Sequence, residues 1–147
     1  MGQDLSGLEV LDLYAGSGAL GFEALSRGAR KAVFVEANPR TAITLRACAA
    51  ELGVEHDSRV VVGRVDDVLI QARLGGPFDV IFADPPYEAG AEGTLVKGVA
   101  ACGILGPQGT LVVERESRNP MDSRQSPLDL IRTVEYGRTA LDFFKYR

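Results

Sequence analysis

The chain contains no tryptophan, one histidine and two cysteines. Cys48 and Cys102 are too few for a disulfide framework and have no metal-ligand spacing. His56 stands alone in a polar Glu55-His56-Asp57-Ser58 loop, which leaves no Cys/His cluster for zinc. No apolar run approaches the length of a membrane-spanning helix. The opening Met1 to Ser6 has no basic stretch followed by an apolar one, so no signal peptide is expected. Positive charge is not in excess: 16 Lys+Arg against 20 Asp+Glu give a formal charge of -4 and a pI near 5.0. That balance argues against a free-standing basic module that holds nucleic acid by charge alone, though not against an enzyme with a local basic patch. The plain expectation is a reduced, cytoplasmic, soluble domain.

What is present is an ordinary globular composition over 147 residues, with 46% apolar and 24% charged residues. This length predicts one domain, residues 1–147, able to bury a core without staples. Short apolar runs alternate with helical stretches. Strands are expected at Leu8–Tyr14, Ala32–Glu36, Arg59–Gly63, Phe78–Ala83 and Gly109–Glu114. Helices are expected at Ala19–Arg27, from Asn38-Pro39 to about Leu52, at Asp66–Arg73 and at Ala91–Cys102. Asn38 suits an N-cap and Pro39 the first helical position. Asp129–Tyr136 and Ala140–Lys145 flank Gly137-Arg138-Thr139 too closely for a helical crossover, so they should pair as a hairpin. The pattern predicts an α/β fold: a Rossmann-like, doubly wound, mostly parallel sheet ending in an antiparallel hairpin.

Two loops at strand ends carry the chemistry. Gly16, Gly18 and Gly21 match G-x-G-x-x-G between the first strand and the first helix, where a missing Cβ lets a ligand approach the backbone. Glu36, ending the second strand, stands where an acid can accept hydrogen bonds from ribose hydroxyls. A dinucleotide and S-adenosylmethionine both fit this arrangement, and a tight turn that binds nothing is the plainer alternative. Asp12 tips the balance toward S-adenosylmethionine. Its carboxylate can receive an amino-acid ammonium, directly or through water, whereas it would repel a pyrophosphate. Tyr14 can touch that ligand or pack beneath the loop.

Asp84-Pro85-Pro86-Tyr87 follows the fourth strand, which should neighbour the first across the switch point of the sheet. Two prolines remove two N–H donors and leave acceptors, the Asp84 carboxylate and the Pro85 carbonyl. Acceptors suit a planar ring with an exocyclic amine, whose delocalised lone pair must be aimed at a methyl donor. Tyr87 offers a stacking face worth roughly 1–3 kcal/mol. A base must leave its stack to enter such a site. A merely rigid turn is the alternative reading. Arg115, Arg118 and Arg124 flank the loop after the fifth strand and are read as a solvated charged loop or as phosphate contacts.

These residues resemble a family. Asp84 to Tyr87 is similar to the [D/N/S]-P-P-[Y/F/W] motif of amino methyltransferases, and Asp12 to Gly21 resembles their S-adenosylmethionine loop. The run Leu11 to Ala29, with Phe34-Val35-Glu36, Ala83 to Tyr87 and the ending Tyr136 to Leu141, resembles the bacterial 16S ribosomal RNA guanine-N2 methyltransferases. The resemblance implies methyl transfer from S-adenosylmethionine, leaving S-adenosylhomocysteine, to the N2 amine of a guanine. It places Asp12, Gly16 and Gly18 at the methionine end, Glu36 at the ribose, and Val65 and Asp66 near the adenine, with Tyr14, Ala15 and Ala37 as further cofactor-binding residues. Asp84 and Pro85 would hold the guanine amine, Asp84 also bordering the cofactor, with Tyr87 stacking. The implied partner is 16S ribosomal RNA in a partly assembled small subunit, met by a monomer without metal or membrane. Alternatives are N6 methylation of adenine in DNA or RNA, and a cofactor-binding domain without chemistry; a dinucleotide oxidoreductase leaves Asp84 to Tyr87 unexplained. Family members usually begin with a few dozen further residues rich in Arg, Gly and Pro. A longer form is therefore expected to be more basic and to bind RNA more tightly.

Overall fold

The computed structural model describes residues 4–71, 73–86, 88, 90–118 and 126–147. Apolar runs form the first four strands, β1 (Glu9–Leu13), β2 (Lys31–Glu36), β3 (Ser58–Val62) and β4 (Phe78–Ala83). In β2 every residue from Ala32 to Val35 is buried, because a parallel strand inside a covered sheet has no wet face. Between them lie α1 (Ala19–Ser26), α2 (Pro39–Glu51) and α3 (Val65–Ile70). The Asn38 side chain caps α2 by accepting from the Arg40 N–H at 2.9 Å, with Pro39 in the first turn.

Helix α4 (Ala91–Cys102) leads into β5 (Leu105–Glu116), followed by β6 (Leu128–Tyr136) and β7 (Thr139–Tyr146). One seven-stranded sheet runs in the order β3-β2-β1-β4-β5-β7-β6. The strands from β3 to β5 pair in parallel, while β7 is antiparallel to both β5 and β6. This is the expected doubly wound sheet with its terminal hairpin. The chain leaves β3 and re-enters beside β1 as β4, so the switch point lies between β1 and β4.

Strand parity sorts the core onto two faces. Leu11, Leu13, Val33, Val35 and Ile81 pack with Val68 of α3 and Leu95, Val96 and Val99 of α4. Val10 and Phe82 pack with Ala24 of α1, and Ala32 and Phe34 with Leu45 of α2. Strand β5 begins at Leu105, earlier than the Gly109 start expected from the sequence. Gly106 and Gly109 let it close over Phe78: a Cβ on either would lie within 3.1 Å of the Phe78 carbonyl oxygen. The register with β4 shifts there, between Phe78 and Val80.

Gly21 fixes the distance of α1 from the sheet. A Cβ at this position would stand 2.3 Å from Phe34 Cε1. The Phe34 ring is fully buried and tilted against Phe22 at 4.8 Å, so it has no room to retreat. Gly21→Ala is expected to cost about 1–3 kcal/mol through overpacking. Urea unfolding would show this as a lower midpoint with an unchanged slope; an unchanged midpoint would mean that α1 can lift from β2.

Candidate active site

The turn after β1 is held open by backbone conformation and closed by carboxylates. Tyr14 adopts φ 58°, the left-handed region that a tyrosine enters at a cost, and Gly16 follows at 56°. The Ala15 N–H donates to the Val35 carbonyl at 2.9 Å, tying the turn to β2. The Glu36 carboxylate accepts from Gly16 N–H at 3.0 Å through Oε1 and from Asn38 N–H at 2.8 Å through Oε2. It therefore clamps the glycine turn to the start of α2, and each oxygen keeps capacity for another donor. Asp12 is 3% exposed, and its Oδ2 accepts from the Gly21 N–H at 3.2 Å. Burial pushes its carboxyl up to about 7, opposed by that hydrogen bond and assisted by the nearby charge of Asp84.

A cavity of about 430 Å³ opens at the carboxyl edge of β2 and β3. Tyr14, Val35, Glu36 and Ala37 form one wall and Gly63, Arg64, Val65 and Asp66 another, with Pro86, Glu88, Gly90, Ala91, Thr94 and Leu95 also lining it. Among the described residues its ionisable lining is three carboxylates, Glu36, Asp66 and Glu88, with one guanidinium, Arg64, and one phenol, Tyr14. The Tyr14 hydroxyl is pushed up by burial and by the charges of Asp66 and Glu88. Five of the sequence-expected residues line this cavity: Tyr14, Glu36, Ala37, Val65 and Asp66. Ala15, Gly16 and Gly18 belong to the adjoining turn without lining it, and Asp12 is turned to Gly21 beneath them. Tyr87 lies outside the described residues.

Asp84 and Pro85 stand at the end of β4, one residue before the Pro86 that touches the cavity. Asp84 is exposed and Pro85 buried. The parallel register sets Ala83 opposite Val113, so Asp84, just past β4, lies beside Glu114 of β5. The Glu114 carboxyl is pushed up to about 7, chiefly by its side-chain contact with Asp84, then by burial and by the charge of Asp84. Local sequence gives Glu114 no role, because its neighbour is set by sheet order. Glu88, Arg64 and Thr94 also escape sequence reading, since each reaches the cavity from a loop or helix start without a motif.

The structure overturns one reading of the arginines. Arg115 is 9% exposed and is not available to phosphate. Its Nε donates to Asp142 Oδ2 at 2.5 Å and its second nitrogen to Oδ1 at 3.2 Å, a two-pronged pair across β5 and β7. Arg118 is exposed, and Arg124 lies outside the described residues. Glu92, from the first turn of α4, completes the cluster 3.8 Å from Arg115 Nε. Its two oxygens are buried and meet no donor. Burial, then contact with Asp142, pushes the Glu92 carboxyl up to about 8 against the pull of Arg115. The neutral acid can donate to Asp142; the carboxylate cannot.

The fold therefore holds a proton at Glu92 that the unfolded chain releases, and this contribution to stability is lost as pH rises from about 4.5 through about 8. Asp12 acts in the same direction between about 3.8 and about 7. Glu92→Gln keeps a donor and removes the titration. It is expected to stabilise the protein by about 1 kcal/mol above pH 8 and to flatten the fall of the urea midpoint with pH. An equally steep fall in the variant would place the titration elsewhere.

Among the described residues, no group of three or more His, Cys, Asp or Glu could hold a metal ion, and no helix is long and apolar enough to cross a membrane. A family model described as conserved hypothetical protein 95 matches residues 1–145. Ribosomal RNA small subunit methyltransferase D of Haemophilus influenzae is 34% identical over 114 residues, covering 77% of this chain and 59% of that protein. Its namesake from Escherichia coli K12 is 31% identical over 137 residues, covering 93% and 68% respectively. A solved structure of a candidate methyltransferase from Escherichia coli superposes with a TM-score of 0.88 at 29% identity, over 97% of this chain and 79% of that one. The sheet order, the glycine turn and the strand-end Asp-Pro-Pro thus sit in a Rossmann-like methyltransferase fold. By the family model and the Escherichia coli relative alike, the chain belongs to the small-subunit ribosomal RNA methyltransferase D family.

Proposed function

We propose that this protein is an S-adenosylmethionine-dependent methyltransferase acting on the exocyclic N2 amine of a guanine in 16S ribosomal RNA, within a partly assembled small subunit. One observation carries the reading. An acidic cavity, suited to a cationic ligand, adjoins a strand end that offers the Asp84 carboxylate and the Pro85 carbonyl as acceptors, suited to an aromatic amine. The names of the relatives, ribosomal RNA small subunit methyltransferases, support the choice of RNA.

The charge of the cavity supports S-adenosylmethionine: among the described lining residues three carboxylates stand against one guanidinium, which favours a sulfonium and ammonium over a pyrophosphate. Glu36 would accept from the ribose hydroxyls with the lone pairs that Gly16 and Asn38 leave unused. Tyr14, Gly16 and Gly18 would border the methionine end, with Ala37, Val65 and Asp66 toward the adenine. Asp12 would fasten the turn through Gly21 and supply negative charge beneath it. When bound, the cofactor supplies an electrophilic methyl group. Asp84 and the Pro85 carbonyl would hold the two amine hydrogens and turn the nitrogen lone pair toward that methyl. Tyr87 would stack on the base.

The test is transfer of labelled methyl from S-adenosylmethionine to small subunits lacking the modification, followed by nucleoside analysis. N2-methylguanosine is the expected product. N6-methyladenosine would overturn the acceptor, and tighter binding of NAD than of S-adenosylmethionine in calorimetry would overturn the cofactor.

A further inference from the structure

We propose that Glu114 is a positioning residue for the methyl-accepting amine: its carboxyl shares one proton with Asp84 and so aims the Asp84 carboxylate, the base that takes the departing amine proton. The inference rests on the methyltransferase reading above and deepens it. Three observations carry it. The β4–β5 register sets the two acids side by side, one step beyond Ala83 and Val113. The contact with Asp84 favours the protonated form of Glu114, and two acids in contact can hydrogen-bond only if one of them is protonated. Asp84 is exposed just past the end of β4, and Glu114 beside it is half-buried.

Other charged groups around the pair leave this proton in place. From β1, Asp12 is a further carboxyl near Asp84, and it disfavours a second negative charge there. From β7, Leu141 stands opposite Glu114. The next residue on β5, Arg115, is committed to Asp142 instead. The Glu114 carboxyl is held near 7, chiefly by its contact with Asp84, then by burial and by the Asp84 charge.

The proton balance is simple. On methylation the amine lone pair forms the N–C bond, and the C–S pair stays on sulfur. One N–H bond then breaks, its electron pair remains on nitrogen, and its proton forms an O–H bond on Asp84. Asp84, exposed to solvent, releases that proton to water while Glu114 keeps its own, so the pair again carries one negative charge.

The test has two arms on the whole protein. In the first, carbon-13 NMR follows the glutamate side-chain carboxyls of the ligand-free protein through a pH titration, with Glu114→Gln assigning the resonance. The expected result is a Glu114 midpoint well above that of an ordinary glutamate, lowered by about one pH unit or more in Asp84→Asn. An ordinary midpoint in the wild type, or a raised one that survives Asp84→Asn, overturns the shared proton. In the second, methyl transfer is followed against pH. Glu114→Ala is expected to lower kcat on the order of tenfold to a hundredfold with little change in KM for S-adenosylmethionine. Glu114→Gln, which keeps a donor to Asp84, should recover part of that loss and abolish the fall in rate as Glu114 titrates. An unchanged fall in Glu114→Gln overturns the positioning role. No transfer by the wild type to any acceptor would overturn the reading of the reaction, which the first arm does not depend on.

Discussion

Asp84→Ala is expected to abolish methyl transfer while leaving S-adenosylmethionine binding within a few fold. The two effects separate because Asp84 stands at the end of β4 and does not line the cavity that Glu36 and Asp66 help to build. Removing the carboxylate takes away the acceptor that would orient the amine. Loss of one preorganised polar group at a reacting centre costs on the order of a hundred- to a thousandfold in rate. The fold should tolerate the change, since Asp84 is exposed. Single-turnover transfer and calorimetric titration on the same preparation would check both halves. Loss of cofactor binding in the variant would show that Asp84 belongs chiefly to the cofactor side.

The second large effect concerns stability. Arg115→Met is expected to cost about 3–5 kcal/mol at neutral pH, the usual result of removing one partner from a buried ion pair. Asp142 is fully buried, and its carboxyl would be left with only the Thr133 hydroxyl, bonded at 2.7 Å, and Glu92 as neighbours. In the wild type, burial pushes the Asp142 carboxyl up, but hydrogen bonds from Arg115, Glu92 and Thr133 more than offset this and hold it below the ordinary aspartate value. Without Arg115 that balance reverses, and the deficit should shrink in acid, where Asp142 can protonate. Urea titrations at two pH values would read both effects. A second substitution, Asp142→Leu, should return much of the loss, because an apolar replacement of a buried pair is often neutral. A variant as stable as the wild type would mean that water reaches this cluster.

Much of this architecture was legible from local pattern. The apolar runs at Ala32–Glu36 and Phe78–Ala83, the Asn38-Pro39 start and the helix at Ala91–Cys102 lie within a residue of where they were expected. Each is set by side-chain period and by breakers a few residues away. Strand β5 departed from expectation because its first residues depend on a close approach to Phe78, which no local rule contains. The same division runs through the candidate site. That Glu36 stands at a strand end and lines a cavity, and that Asp84-Pro85-Pro86 follows β4, was legible from local pattern. Glu114 was not, because its meaning depends on which strand lies beside it. Arg115 read as a surface cation until β7 placed Asp142 against it.

The sequence by itself determined the periodicity, the turn chemistry and the motif loops, since these depend on residues near one another along the chain. Tertiary structure decided which strand ends meet, and with them the protonation of Asp12, Glu92 and Glu114. The physical reason is that a carboxyl answers to its burial and its neighbours in space. Both come from strand register and sheet order, so an acid of unremarkable sequence context at the end of β5 becomes the partner of Asp84.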